Sequence, residues 1–319
     1  MKPHISVIVP CLNEIETIGN TVSAASQELS ESGFDYEIIV VDNGSTDGSA
    51  EAAKRHGAIL INSKSRTIAG VRNEGVKAAK GRVFVFLDAD IVVQPFWGLG
   101  LRSVYDRMME DDNFITGSPA CVPDNIQPVL YSWYKALFEN IRDTHRGTGH
   151  MIVSREAFKR IGGFDESFVT NEDFHFCSQA KKKGIVINSN PEMKVLHLGY
   201  PNTLLDFAKR EIWHGVGDCK SWKKLLRSRV AWCGAVFLFL HVMMLILLFI
   251  HIPFFFIFFI FAIFMAGGMN YIKFGYGSIY DFLYRSLVAY IYLISRGLSL
   301  PIRFYKKDRF YHWIHSKKS

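Results

Sequence analysis

The stretch RVFVFLDADIVVQP, residues 82–95, decides how this chain is read. Its residues 83–87 form an unbroken apolar run, too short for a helix and rich in β-branched and aromatic side chains, which reads as a strand covered on both faces. Polarity then changes abruptly. Asp88 and Asp90 place two carboxylates two positions apart where the strand opens into a loop. In an open α/β sheet the ligand crevice lies at the carboxyl ends of the strands, which is where these acids fall. Two solvated turn aspartates would show the same spacing, so the neighbouring segments have to decide.

Toward the N-terminus the pattern repeats. Residues 5–9 are a second buried-type strand, followed by the loop Pro10-Cys11-Leu12-Asn13-Glu14 and a helical pattern carrying Ile18, Val22, Ala25 and Leu29. Residues 37–41 lead into Asp42-Asn43-Gly44-Ser45-Thr46-Asp47-Gly48, a run of turn formers and capping residues before a short helix stopped by Gly57. A third strand over 58–61 and a helix ending at Gly81 complete the run up to residue 82. Strands alternating with helices imply a largely parallel sheet with right-handed crossovers. Glu14, Asp42 and the Asp88/Asp90 pair then share one edge of it. Carboxylates do not attract a bare pyrophosphate, so such an edge either holds a divalent metal that bridges to phosphate or binds the hydroxyls and N–H groups of a sugar and base. Neither G-x-x-x-x-G-K-[ST] nor a G-x-G-x-x-G after the first strand is present, which argues against a kinase, an ATPase or a nicotinamide enzyme.

VIVPCLNE (7–14), VVDNGSTDGS (40–49), RNEGVKAAKG (72–81) with FLDAD (86–90), and NED (171–173), in this order, resemble family-2 glycosyltransferases of the GT-A fold over roughly residues 3–215. The resemblance implies a Rossmann-like mixed α/β sheet that binds a UDP- or GDP-sugar. Asp42 would contact the base or ribose, with Pro10 and Glu14 lining the same pocket. Asp88 would touch the nucleotide or sugar, and Asp90 would bind Mg²⁺ or Mn²⁺ at the diphosphate. Arg72 and Asn73 match a polar site near the nucleotide; read by themselves they are an exposed helix start. Asp173 stands at the position of the general base that takes the proton of an acceptor hydroxyl in an inverting transfer, with Glu172 supporting it or orienting the acceptor. Acids in a first helical turn are also favoured by the macrodipole, so a plain helix cap has the same sequence.

Later residues carry weaker signals. His150 lies between glycines in GTGHMIVS, where it could meet donor or acceptor or simply mark a tight backbone. His197 in VLHLGYP matches a family position for a metal ligand, although a histidine packed in the core would look alike. Lys209, Arg210 and His214 could close over the donor diphosphate, or form a basic helix face near a membrane.

Ten of the 26 Phe crowd into 237–264, and residues 231–250 are an uncharged apolar run long enough to cross a hydrocarbon core of about 30 Å. A second uncharged run covers 253–269, so the two read as a transmembrane hairpin over 231–272. The expected organisation is a GT-A domain over 1–218, a basic juxtamembrane segment over 219–230, the hairpin, an amphipathic interfacial helix or third span over 279–303, and a basic tail over 304–319. Basic residues on both flanks favour two spans with the catalytic domain cytoplasmic. In the 279–303 segment Asp281, Arg285, Arg296 and Arg303 fall on one stripe, expected to face water from the interface unless the arginines face protein. The net charge of +7 is concentrated beside the apolar runs, which points to anionic lipid and not nucleic acid. Five scattered cysteines suggest neither disulfides nor zinc, and the opening MKPHISVIVP shows no signal peptide. The expected acceptor is lipid-linked or otherwise membrane-associated. Competing readings are a polyprenyl-phosphate sugar synthase, which needs no base, and a non-catalytic nucleotide-sugar-binding membrane protein.

Overall fold

The computed structural model describes residues 3–139, 147–168, 170–218, 226 and 228–302. They form two compact units, one over 3–123 and 147–199, the other over 124–139 and 200–302. The expected juxtamembrane segment and basic tail, with Arg303, fall almost entirely outside the described residues.

In the first unit, with elements numbered in chain order, β1 (Ile5–Cys11), β2 (Tyr36–Asp42), β3 (Ile59–Asn62) and β4 (Val83–Leu87) alternate with α1 (Ile18–Glu31), α2 (Ser49–Arg55) and α3 (Ile68–Ala78). Then follow β5 (Ile91–Val93), α4 (Trp97–Glu110), β6 (Phe114–Thr116), β7 (Ala120–Cys121), β8 (His150–Ser154), α6 (Arg155–Ile161), α7 (Glu172–Lys182), β9 (Val186–Ile187) and β10 (Val195–His197). The main sheet runs β3-β2-β1-β4-β8-β6-β9, and a smaller one runs β5-β10-β7. From β3 to β4 the pairing is parallel, whereas β8 is antiparallel to both β4 and β6.

Burial explains the continuous apolar strands. Val7, Val9, Val40, Val83 and Val85 point into one core with α1 and α4, while Ile8, Ile39, Val41, Phe84 and Phe86 point into the other with α3, α6 and α7. A strand covered on both faces has no polar alternation to show. Pro10 lies past Ile8↔Phe86, the last pair joining β1 to β4, so its missing N–H removes no ladder bond on that side. Both β1 and β3 end later than the sequence suggests, at Cys11 and Asn62.

The second unit is helical: α5 (Pro128–Glu139), α8 (Leu204–Asp218), α9 (Arg229–Ile250), α10 (Ile252–Phe274) and α11 (Ile279–Ile302). The sequence assigns α5 and α8 to the sheet domain, yet both pack on α11. Trp133 of α5 is buried against Phe207 of α8 and Tyr292 of α11, a core role. Helices α9 and α10 have 22 and 23 residues, and in their most apolar windows only 22% and 11% of the residues are buried inside the protein. They are long and apolar enough to cross a membrane.

The polar stripe of α11 is turned the other way from the expected one. Asp281 Oδ1 accepts from Ser132 Oγ of α5 at 2.7 Å, Arg285 is buried and donates to Tyr276 O at 2.7 Å, and Arg296 pairs with Glu211 of α8 at 2.8 Å. Tyr280, Leu283 and Leu287 are left on the exposed side. Side chains that can pair with a neighbouring helix do so, because a carboxylate or guanidinium against apolar surroundings is costly unless paired.

Candidate active site

Two loops at the carboxyl ends of β1 and β2 are fastened together. Asn13, at φ +55°, accepts from Thr46 N through Oδ1 at 2.9 Å, and its own N–H donates to Ser45 Oγ at 2.9 Å. Glu14 N and Ile15 N donate to Ser49 Oγ and Asp47 Oδ2 at 2.7 and 3.1 Å. Asp42 closes its own turn: Oδ2 accepts from Gly44 N and Ser45 N at 3.0 and 3.1 Å. Its Oδ1 is buried with no hydrogen-bond partner, an acceptor left for a donor that the protein does not supply. Beneath it, burial, with Asp42 adding, pushes the Cys11 thiol up to about 12, which makes it an inert core residue.

Arg72 organises the other half. The sequence allows an exposed helix start, but the residue is 3% exposed on α3, and its Nη2 and Nη1 meet Asp88 Oδ1 and Glu172 Oε1 at 2.7 Å each. One guanidinium thus ties the end of β4 to the start of α7. Burial opposes its charge, but Asp88 and Glu172 outweigh that and hold it above its ordinary value. For Glu172 burial dominates, pushing the carboxyl up against the pull of Arg72, with Asp173 adding to the rise. Asn73 points elsewhere. Its Nδ2 donates to Phe164 O and Glu166 Oε1 at 2.8 and 2.9 Å and its Oδ1 accepts from Phe164 N at 3.2 Å, so it clamps a loop and keeps no donor for a ligand.

Asp173, in the first turn of α7, is partly exposed beside Gly147: a Cβ there would stand 3.6 Å from Asp173 Oδ2. A Cβ on Gly149 would stand 3.2 Å from Asp88 Oδ2. Gly147-Thr148-Gly149 is therefore a bare strip of backbone with one acid at each end. Asn171, at φ +64°, opens α7 without a side-chain cap, while Asp173 Oδ1 accepts from Phe174 N at 2.7 Å within the first turn.

Asp90 and His197 are brought together by the small sheet, where His197 pairs with Ile91, and Asp90 Oδ2 lies 3.1 Å from His197 Nε2. Adjacent ligands of an octahedral cation at about 2.1 Å stand about 3.0 Å apart, so the pair has the spacing and the hard-donor chemistry for Mg²⁺ or Mn²⁺. Gly199 keeps the place open, since a Cβ there would meet Asp90 Oδ2 at 1.8 Å. Among the described residues no third His, Cys, Asp or Glu joins them. His150 is 3% exposed and structural. Trp97 Nε1 donates to His150 Nε2 at 3.0 Å, Ser118 N donates to Nδ1 at 3.0 Å, and Ser118 Oγ, 2.9 Å from Nδ1, donates to Met193 O.

Arg210 belongs to the second unit, where it donates from Nε to His214 Nε2 at 3.4 Å and stacks on Tyr200.

A family model described as "Glycosyl transferase family 2" matches residues 6–162. The glycosyltransferase AglE of Haloferax volcanii is 34% identical over 235 residues, covering 69% of this chain and 74% of that protein. The chain is a family-2 glycosyltransferase. The succinoglycan biosynthesis protein ExoA of Rhizobium meliloti is 25% identical to this glycosyltransferase over 243 residues, 68% of this chain and 70% of that one. Among solved structures, the mannosyltransferase PcManGT from Pyrobaculum calidifontis, in complex with GDP-Man and Mn²⁺, shares the fold at a TM-score of 0.56 and 17% identity, covering 96% of this chain and 88% of that one. The GT-A fold of this glycosyltransferase is thereby established.

The sequence named the acids of the site and missed what holds them. The Arg72 strut is invisible because its partners lie 16 and 100 positions away. The G-T-G strip was the one local signal that could have placed Asp173.

Proposed function

We propose that this glycosyltransferase moves a sugar with inversion from a UDP- or GDP-sugar to a hydroxyl of a lipid-linked or membrane-associated acceptor. The observation that carries the reading is the Arg72 strut, which fixes Asp88 and the start of α7 so that Asp173 lies one glycine strip from Asp88. Asp42 Oδ1 accepts from an N–H of the base or a ribose hydroxyl, with Pro10 and Glu14 in the same pocket. Asp88 positions the sugar end. Asp173 takes the acceptor proton as the acceptor oxygen bonds to the anomeric carbon and the bond to the diphosphate breaks, its electron pair leaving with the nucleotide. Glu172, held by Arg72, orients Asp173. Asp90 and His197 would hold a divalent cation, which when bound supplies positive charge to the departing diphosphate. GDP-Man and Mn²⁺ in PcManGT support both the donor class and the metal class. The sheet unit that carries the site faces the cytosol, α9 and α10 span the membrane, and α11 lies with its apolar side in lipid.

The test is nucleotide release from a panel of UDP- and GDP-sugars by detergent-purified protein with membrane extract as acceptor source. Asp173→Asn should lower transfer by about 10² or more while nucleotide-sugar binding persists. If no donor turns over with any extract, the reading fails. Undiminished turnover in Asp173→Asn would point to a phosphate acceptor, and a product with retained anomeric configuration would exclude the single displacement.

A further inference from the structure

Among the described residues of the second unit, Arg210, Lys273 and Arg296 gather around one carboxylate, Glu211. Arg296 gives Nη2 and Nε to Glu211 Oε2 at 2.8 and 3.2 Å, with both side chains largely buried, and that uses Glu211. Arg210, the preceding residue on α8, stacks on the Tyr200 ring at 5.4 Å, and its Nη1 is buried with no hydrogen-bond partner. Beside it the Tyr134 hydroxyl of α5 is also buried, close enough to Arg210 for the guanidinium to donate to it. Burial raises the Tyr134 phenol above its ordinary value, so at neutral pH it is a donor and not an anion. Lys273, near the end of α10, sets its ammonium over the rings of Trp133, Phe274 and Tyr292 at 4.8, 5.1 and 5.1 Å, within electrostatic range of Glu211 and Arg296. Among the described residues neither Arg210 nor Lys273 pairs with a carboxylate.

Among the described residues three cations therefore gather around one carboxylate, with the Tyr134 hydroxyl beside Arg210. A buried charge without a counter-charge costs several kcal/mol, so the arrangement suits a unit that receives its anion from outside. The anion has to carry about two negative charges and several acceptor oxygens. A phosphate ester has both, at about −1.5 to −2 near neutral pH. The aromatic walls and the apolar helix bearing Lys273 suit a phosphate with a hydrocarbon tail. We propose that Arg210, Lys273 and Tyr134 bind the phosphate or diphosphate at the head of the lipid that carries the acceptor. This rests on the lipid-linked acceptor read above, and it moves Arg210 from the donor diphosphate, where the sequence put it, to the acceptor.

The full chain in detergent is titrated calorimetrically with farnesyl phosphate, farnesol and inorganic phosphate. Farnesyl phosphate binds at least about tenfold more tightly than either fragment, and Arg210→Gln and Lys273→Gln each weaken it by about tenfold or more. Arg210→Lys, which keeps the charge but loses the planar fork that stacks on Tyr200, binds more weakly than the parent and more tightly than Arg210→Gln. Lys273 is an exposed residue, so its replacement tests the site even if Arg210→Gln melts early. Undiminished binding in Lys273→Gln, farnesol or inorganic phosphate binding as tightly, or displacement by phosphatidylglycerol at equal concentration overturns the proposal. GDP and UDP with Mn²⁺ are titrated into the same preparation. Nucleotide binding without farnesyl phosphate binding sinks this site alone; the reverse leaves it standing while the transfer reading fails.

Discussion

Removing a guanidinium that holds two carboxylates, one of them buried, leaves charge that water cannot reach. Arg72→Met should cost roughly 3–5 kcal/mol, the usual penalty for breaking a buried pair from one side. The loss has a pH signature. Burial already holds Glu172 above its ordinary value with Arg72 present, and without Arg72 that value rises further above the unfolded one. A raised acid is stabilised in its protonated form: its contribution is present below the unfolded value and lost as pH climbs through the folded one. The melting-temperature gap between Arg72→Met and the parent should therefore widen from pH 5 to pH 8, and a gap independent of pH would refute the argument. Asp42→Asn makes a different point. Its amide oxygen can keep the two backbone bonds that Oδ2 now accepts, while its NH₂ replaces Oδ1 as a donor. Nucleotide affinity should fall about tenfold or more with thermal stability changed by about 1 kcal/mol at most, as calorimetry and melting would show. These residues show how far a sequence can be read. Asp42, Asp88 and Asp90 announce themselves as acids after buried strands. That Asp42 keeps one oxygen free, and that Asn73 faces a loop while Arg72 faces the site, are facts of side-chain direction, which adjacent positions on a helix do not share.

At the scale of elements, strands β1, β2 and β4 were legible because both faces of each are buried, which leaves one reading for a short apolar run. Helix α11 was half legible. Its period locates the polar stripe, but period alone does not say whether a stripe faces water or α5 and α8. The short strands β5 and β10 carried no comparable signal, with three residues each, yet they bring His197 to Asp90. Gly199 follows directly. Its alanine variant must push the Asp90 carboxylate aside, so Mn²⁺ affinity measured in the presence of nucleotide should drop about tenfold or more; unchanged affinity would remove Asp90 from the metal site.

For the molecule as a whole, the reading of α9 and α10 as two spans makes an accessibility prediction. With Cys121, Cys219 and Cys233 replaced, His251→Cys between the two helices should react with a membrane-impermeant maleimide on intact cells. Ser278→Cys, beyond α10, should react only after permeabilisation. Labelling of both from the same side would contradict a hairpin. The division at Gly199, and not at 218, was hidden from the sequence because α8 has a soluble helix's polarity and is drawn to α11 by contacts no local pattern records. The clasp between the β1 and β2 loops reaches beyond chemistry to descent. Asn13 is bound through its own N–H and its amide to Ser45 and Thr46, so a change on one side leaves the other with groups shaped for a lost neighbour. Such positions drift as a pair or hold still together.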